Sequence, residues 1–161
     1  MAPEGSTKAG VGVPEESVPE IVGALVEAFV DGWNRHDATR ASATFAPDGE
    51  LTNFRGKRFD GRAEIEAFLR RGFTGALKDS QIDPAPLRAH SLAPTVTALE
   101  ARWRLSGTHS ADGKDRSDRQ ILFDAVAVAN GSGGLWFALA HLRDLPQDPG
   151  PAGTKPAPSD G

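Results

Sequence analysis

The apolar residues of this chain change their spacing about halfway along the sequence, and this change constrains the fold more than any other feature. In the first half they recur every three or four positions, as on one face of a helix. In the second half they alternate with polar residues, as in a strand with one buried face. Helices followed by strands in this order are typical of an α+β domain.

The first helix is predicted to begin at a capping box, Ser17-Val18-Pro19-Glu20, with proline inside the first turn. An apolar stripe follows along roughly 17 residues. Asn34-Arg35-His36 interrupts it, and Asp37 caps a short second helix whose buried side includes Phe45. The turn Pro47-Asp48-Gly49 then ends the second helix. The stripe of the first helix consists of Val18, Ile21, Val22, Leu25, Val26, Phe29 and Trp33.

A third helix from about Arg62 is preceded by a short strand at residues 50–54 and followed by three long strands. Residues 97–105 alternate between apolar and polar. Residues 120–128 are an apolar run interrupted only by Asp124, which predicts a strand buried on both faces. Residues 135–145 complete an antiparallel meander. Such a sheet curls, and with helices on its concave side it is expected to enclose a tapered apolar pocket.

The chain has 161 residues, 39% of them hydrophobic, and this composition fits one globular domain. We expect the domain at residues 16–146, between disordered tails at residues 1–15 and 147–161 that are rich in proline and glycine. A net charge of −4 argues against binding of nucleic acid. We expect no signal peptide and no membrane segment, because no apolar run is long enough. The absence of cysteine fits a cytoplasmic location, which we also expect.

Cofactor and metal sites are not predicted. The chain has no cysteine, and its four histidines lack the spacing of metal ligands. Its glycine-rich segment, Asn130-Gly131-Ser132-Gly133-Gly134, lies between two predicted strands. A glycine loop that binds phosphate would precede a helix, so this segment is interpreted as a hairpin turn.

Three motifs occur in an order and spacing that resemble one superfamily. They are Trp33-Asn34-Arg35-His36-Asp37, Phe45-Ala46-Pro47-Asp48-Gly49 and Gly61-Arg62-Ala63-Glu64-Ile65. The chain resembles the superfamily named for nuclear transport factor 2, also called SnoaL-like, over residues 17–145. It is most similar to the SgcJ/EcaC-type group, whose namesake belongs to an enediyne antibiotic pathway. The resemblance implies a cone-shaped curled sheet around three helices, a small hydrophobic ligand and a homodimer.

The best understood chemistry of this superfamily is ketosteroid isomerisation, which needs a carboxylate base, a tyrosine and a protonated aspartic acid. Aligned on the resemblance, the base position falls on Asn53, which takes no proton at neutral pH. The tyrosine position falls on Phe29, and the chain contains no tyrosine. The acid falls on or near Asp124. Isomerisation by that mechanism is therefore not expected.

Asp124 and His141 are the candidate catalytic residues. An unpaired carboxylate in an apolar strand is costly, so Asp124 either faces the pocket as a proton donor or base, or faces the second sheet surface and pairs with Arg102, Arg104 or a neighbouring chain. His141 is predicted to share a face with Phe137, Leu139 and Arg143. It either acts as an acid–base group or is a hydrogen-bonded structural residue.

The candidate ligand-binding residues are Phe29, Trp33, Asn53, Phe68 and Trp103. The aromatic members either line the pocket or belong to the ordinary core. Two functional hypotheses follow. The protein either assists cyclisation, isomerisation or dehydration of a polyketide or polyene intermediate, or it is a non-catalytic module that holds such a molecule or docks a polyketide synthase.

Overall fold

One curled sheet of seven strands carries three helices on its inner face. The computed structural model describes residues 19–146. The two predicted tails lie outside the described residues, as do Ser17 and Val18 of the predicted capping box. The elements are α1 (Glu20–Asn34), α2 (Ala38–Ser42), β1 (Phe45–Thr52), β2 (Arg58–Asp60), α3 (Arg62–Phe73), β3 (Gln81–Asp83), β4 (Leu87–Ala93), β5 (Val96–Ser106), β6 (Arg119–Ala129) and β7 (Leu135–Asp144).

The sheet has the strand order β2-β1-β7-β6-β5-β3, and β4 also pairs with β5. Strands β5, β6 and β7 form the predicted antiparallel meander. Strand β1 runs parallel to β7, so the sheet is mixed. The predicted α+β fold, a cone-shaped curled sheet around three helices, is confirmed.

Aromatic side chains fill the space between α1 and the inner face of the sheet. Phe29 of α1 lies 5.3 Å from Phe123 of β6 and 6.2 Å from Trp103 of β5, measured between ring centroids. The rings of Trp103 and Phe123 stack at 4.5 Å. All three side chains are almost completely buried. This stack, called the aromatic stack below, fixes which face of each strand points inward.

Strand β6 alternates between its two faces, which corrects the prediction that it is buried on both. Ile121 and Phe123 are fully buried against the helices, whereas Leu122, Asp124 and Val126 are only partly buried on the opposite, outer face. The outward residues on either side of Asp124 are large and apolar. The run therefore looks continuously apolar in the sequence although only one face is core.

The starts of α1 and β1 also differ from the prediction. Helix α1 begins at Glu20 after an extended Pro19 (ψ 142°), which makes no side-chain cap, and Ile21 of the predicted stripe is exposed. Strand β1 begins at Phe45 and includes the segment predicted as a turn. Its pairing with β7 shifts between Phe45 and Glu50, so the proline and glycine are accommodated in an irregular stretch.

Gly107 ends β5 at a point where the chain passes directly over the carbonyl of Asp79. Its φ is +73°, and a Cβ at this position would collide with that carbonyl oxygen. Gly113 has a similar φ of +87°, but a Cβ there would meet nothing. The two glycines share a backbone conformation and differ in the space around it.

We expect Gly107→Ala to destabilise the protein more than Gly113→Ala. The positive φ costs about 1–2 kcal/mol in both variants, and the collision adds about 1–3 kcal/mol only at Gly107. The free energy of unfolding in urea measures the difference. Equal losses in the two variants would contradict the close approach to Asp79.

We expect Phe29→Ala to reduce the free energy of unfolding by about 3–5 kcal/mol, because it empties the centre of the aromatic stack. Leu92→Ala is the control. Its side chain is 57% exposed, and its removal should change the stability by about 0.5 kcal/mol or less. Urea denaturation followed by tryptophan fluorescence measures both. A small loss for Phe29→Ala would mean that the inner space is not tightly packed.

Candidate functional site

A line of polar residues crosses the outer face of the sheet at right angles to the strands. Each neighbouring pair is in direct cross-strand register. Residues opposite each other in register have adjacent side chains on the same face. Five strands therefore supply one polar side chain each to a continuous line, called the polar row below. Its members are Arg88 of β4, Glu100 of β5, Asp124 of β6, His141 of β7 and Thr52 of β1.

Asp124 and His141 meet at the centre of the polar row. Oδ1 of Asp124 lies 3.8 Å from Nδ1 of His141. Arg143, two residues further along β7, places Nη2 at 3.2 Å from His141 Nδ1 and at 3.6 Å from Asp124 Oδ2. The side chains of Asp124 and His141 are 32% and 35% exposed. The structure thus brings the two candidate catalytic residues together, on the face opposite the aromatic stack.

The polar row forms part of the floor of an open groove of about 480 Å³. This volume lies within the range of about 300–1,000 Å³ of small-molecule sites. Beside the row, Ala98, Val126 and Leu139 form a parallel apolar line. His90 and Arg88 of β4 close the groove at its far end. The site combines an acid, a histidine and an arginine with an apolar wall.

A second groove of about 390 Å³ adjoins the first and shares His141 and Arg143 with it. Asn53 and Phe54 of the β1–β2 connection line it. The side-chain oxygen of Asn53 accepts hydrogen bonds from the backbone N–H groups of Arg55 and Lys57, at 2.9 and 3.0 Å. Asn53 is therefore near the site, with its oxygen already engaged in shaping the turn.

The predicted aromatic ligand-binding residues are placed elsewhere, which corrects the expected pocket lining. Phe29, Trp33 and Trp103 are at most 1% exposed and pack on other aromatic rings within the core. Phe68 of α3 stacks on Phe59 of β2 at 4.5 Å. The spacing of these aromatic residues along the helices and strands places them in the core. Large rings on facing elements exclude water best when they pack closely against one another.

His141 does not share a face with Phe137, contrary to the sequence interpretation. The pairing of β6 with β7 shifts between Val126 and Ala127. Phe137 is consequently fully buried on the inner face, while Leu139, His141 and Arg143 line the outer groove. A single irregularity in β7 moves the histidine to the face that Asp124 occupies.

His109 forms a separate cluster at the end of β5. Its Nε2 lies 2.7 Å from Asp79 and its Nδ1 lies 3.0 Å from Asp115. Hydrogen bonds from Lys78 and, second, from His109 hold the pKa of Asp79 below its ordinary value. Within residues 19–146, no group of three metal-ligating side chains has the arrangement of a metal site. The cluster ties the loop before β3 to the loop after β5.

None of the helices in the described part of the chain has both the length and the apolar character that a membrane crossing requires.

The alanines of β6 do not belong to its outer face. Ala125 and Ala127 are buried in the core. Val126 and Val128 take the outward positions.

The chain is similar in sequence to a known protein family. The sequence model of one protein family, the SnoaL-like domain, matches residues 26–137, which is more than two thirds of the chain. The chain belongs to the SnoaL-like domain family. No protein with a curated description matches this SnoaL-like chain in sequence.

Solved structures similar to this SnoaL-like domain share its fold at low sequence identity. An uncharacterized protein with a cystatin-like fold from Caulobacter vibrioides has a TM-score of 0.74 and 22% identity, covering 81% of this chain and 91% of its own. A putative scytalone dehydratase from Novosphingobium aromaticivorans has 0.67 and 13%, with coverages of 80% and 85%. Aln2 from a Streptomyces species has 0.65 and 16%, with coverages of 79% and 92%.

The sequence places Arg143 on the face of His141, as in the structure, but gives no reason to count it among the site residues. It follows His141 by two positions, so both lie on the same face of β7. That spacing is visible in the sequence. The role of Arg143 depends on the register of β6 with β7, which places Asp124 opposite His141. No local sequence pattern indicates this register.

Proposed function

We propose that this SnoaL-like domain binds a small hydrophobic molecule in the outer groove and acts on it by proton transfer through Asp124 and His141, without a cofactor. The observation that carries the proposal is the cross-strand pair of Asp124 and His141 in a groove of about 480 Å³ with an apolar wall. A carboxylate and an imidazole side by side supply the acid and the base that proton transfer requires.

The proposed substrate class is a polyketide or polyene intermediate of natural-product biosynthesis, including the enediyne antibiotics. Cyclisation, isomerisation and dehydration of such molecules all move protons near a carbonyl group, so one acid–base pair serves any of them. The resemblance to the SgcJ/EcaC-type group supports this substrate class. The similar structure described as a putative scytalone dehydratase supports the fold's suitability for dehydration.

The proposed reaction does not use the ketosteroid isomerase arrangement. That arrangement would place its groups in the cone interior, where this chain has Phe29 and Phe123 in contact with each other. The side chain of Asp124 is directed away from this interior. Asn53, at the position of the base, holds the β1–β2 turn. The outer groove is therefore the site to which we assign the chemistry.

The test is turnover of polyketide intermediates from a reconstituted pathway by purified protein. We expect Asp124→Asn and His141→Ala each to lower the rate by about 10²-fold or more, the usual contribution of a general acid or base. Asp118→Asn is the matched control, because this carboxylate pairs with Arg104 at 2.8 Å and does not line the groove. Unchanged product formation in both groove variants would exclude the catalytic role.

A non-catalytic role is the second candidate function. In this alternative the groove holds a hydrophobic intermediate or contacts a polyketide synthase. The filled interior favours it, because the aromatic stack occupies the space where related chemistry would be enclosed, and because Asp124 and His141 are each about one-third exposed. Tight binding of an intermediate without conversion to product would favour this role over catalysis.

We further propose a homodimer that uses the outer face. Val96, Val128 and Trp136 form a second apolar line in register across β5, β6 and β7, and each is only partly buried. A second copy packed on this line would remove it from water. Such a contact would leave the polar row at the edge of the dimer interface, because the apolar line of Ala98, Val126 and Leu139 lies between the contact and the polar row.

We expect a dimer at micromolar concentration in sedimentation experiments, and a shift towards monomer for Val128→Asp. Burial of an unpaired carboxylate in the contact is costly. Arg102→Asp is the control, since it introduces the same residue at an exposed outer position of β5 beyond the apolar lines. A monomeric wild-type protein would contradict the proposed dimer.

A further inference from the structure

One oxygen of Asp124 is enclosed without a hydrogen-bond partner. Oδ1 is inaccessible to solvent and receives no hydrogen bond from any residue in the range 19–146. The nearest ring nitrogen of His141 is 3.8 Å away, which is beyond hydrogen-bond length. A buried acceptor without a donor is unfavourable. Oδ1 would therefore gain a hydrogen bond if His141 Nδ1 carried a proton and the ring moved a few tenths of an ångström closer.

Arg143 prevents His141 from being that donor. Its Nη2 lies 3.2 Å from His141 Nδ1. A guanidinium carries only donors, so Nδ1 must accept this hydrogen bond with its lone pair. A neutral ring that accepts at Nδ1 has its proton on Nε2, and it cannot donate from Nδ1 to Asp124.

The guanidinium of Arg143 is also loosely held. It lies 3.6 Å from Asp124 Oδ2, and its side chain is 57% exposed. On the same face of the sheet, Arg104 contacts Asp118 at 2.8 Å and Arg88 contacts Glu100 at 3.3 Å. Arg143 thus has the longest of these three carboxylate contacts. Arginine binds carboxylates best through two parallel hydrogen bonds, a geometry that Asp124 does not provide here.

We propose that the outer groove is specific for hydrophobic carboxylic acids, whose carboxylate binds Arg143 and thereby releases His141 Nδ1 to donate to Asp124 Oδ1. This inference rests on the proposed binding function of the groove. The ring loses its Nε2 proton to water and takes a proton from water at Nδ1, so its charge is unchanged. Nε2 is then left with a lone pair while the carboxylate of Asp124 orients the ring, as in other His–Asp pairs.

The position of Arg143 suits such a ligand. Arg143 and His141 belong to both grooves. A carboxylate bound at this shared boundary would direct the apolar part of the molecule along Val126 and Leu139 in the first groove or along Phe54 in the second. In this scheme Arg143 binds the carboxylate of the ligand directly, and it affects the proton transfer only through His141.

Nitrogen-15 NMR of the histidine rings tests the switch directly. Parinaric acid, a fluorescent polyene carboxylic acid, and its neutral methyl ester are the probes, and His141→Gln identifies the signal. We expect the ligand-free ring to carry its proton on Nε2 and the acid-bound ring to carry it on Nδ1, with no change on adding the ester. The same tautomer in all three states, or an equal change with the ester, would overturn the proposal.

Fluorescence titration of the same probes tests the role of Arg143. We expect the acid to bind about tenfold more tightly than the ester, as a hydrogen bond to a charged group provides. Arg143→Met, which keeps much of the apolar stem, should abolish this preference and leave ester binding unchanged. Arg102→Met is the matched control. Arg102 of β5 is in register with Leu122 of β6, which is in register with Arg143 of β7.

The outcomes separate this inference from the function on which it rests. Equal binding of acid and ester by the wild-type protein would refute the carboxylate preference and leave the ligand groove supported. An equal loss of both probes in Arg143→Met would make Arg143 a packing residue only, and would also refute it. Binding of neither probe by the wild-type protein would contradict the proposed groove itself, and the inference with it.

Discussion

The contact of Phe123 with Phe29 and Trp103 determines how the rest of this SnoaL-like domain is arranged. Once the Phe123 ring is fixed between a helix and a neighbouring strand, the two-residue period of β6 sends Asp124 to the opposite face. The register of β6 with β5 and β7 then aligns Glu100 and His141 with it. A hydrophobic interaction in the core therefore specifies a polar site on the outer surface.

Much of the fold is local in origin and could be predicted. Helix α3 is expected from about Arg62, and it begins at that residue in the structure. The alternation of β5 is equally clear, because Leu99, Ala101, Trp103 and Leu105 are all buried. The start of β1 could not be predicted. Its proline and glycine indicate a turn locally, and only pairing with β7, far along the chain, holds them in a strand.

In the candidate site, too, some features can be predicted from the local sequence and others depend on strand pairing. Asp124 and His141 can be recognised one at a time, because a carboxylate and an imidazole are conspicuous in apolar strands. The face of the sheet on which these side chains lie cannot be predicted. The outward neighbours of Asp124 are themselves apolar, so the alternation of β6 between its two faces is not visible in the sequence. The shift in β7 that turns Phe137 inward and His141 outward is a property of strand pairing. The aromatic residues were predicted to line the pocket, whereas they belong to the core. Rings that line a pocket and rings that fill the same space have the same spacing in the sequence.

The open position of the polar row has a consequence for the speed of ligand exchange. The row lies on the side of the sheet that the helices do not cover, and its groove faces water directly. A molecule can reach Asp124 and His141 without separating α1 from the sheet or disturbing any ring of the core. For a single copy of the chain, association should therefore be governed by diffusion and orientation, and the free energy of unfolding should have little influence on it.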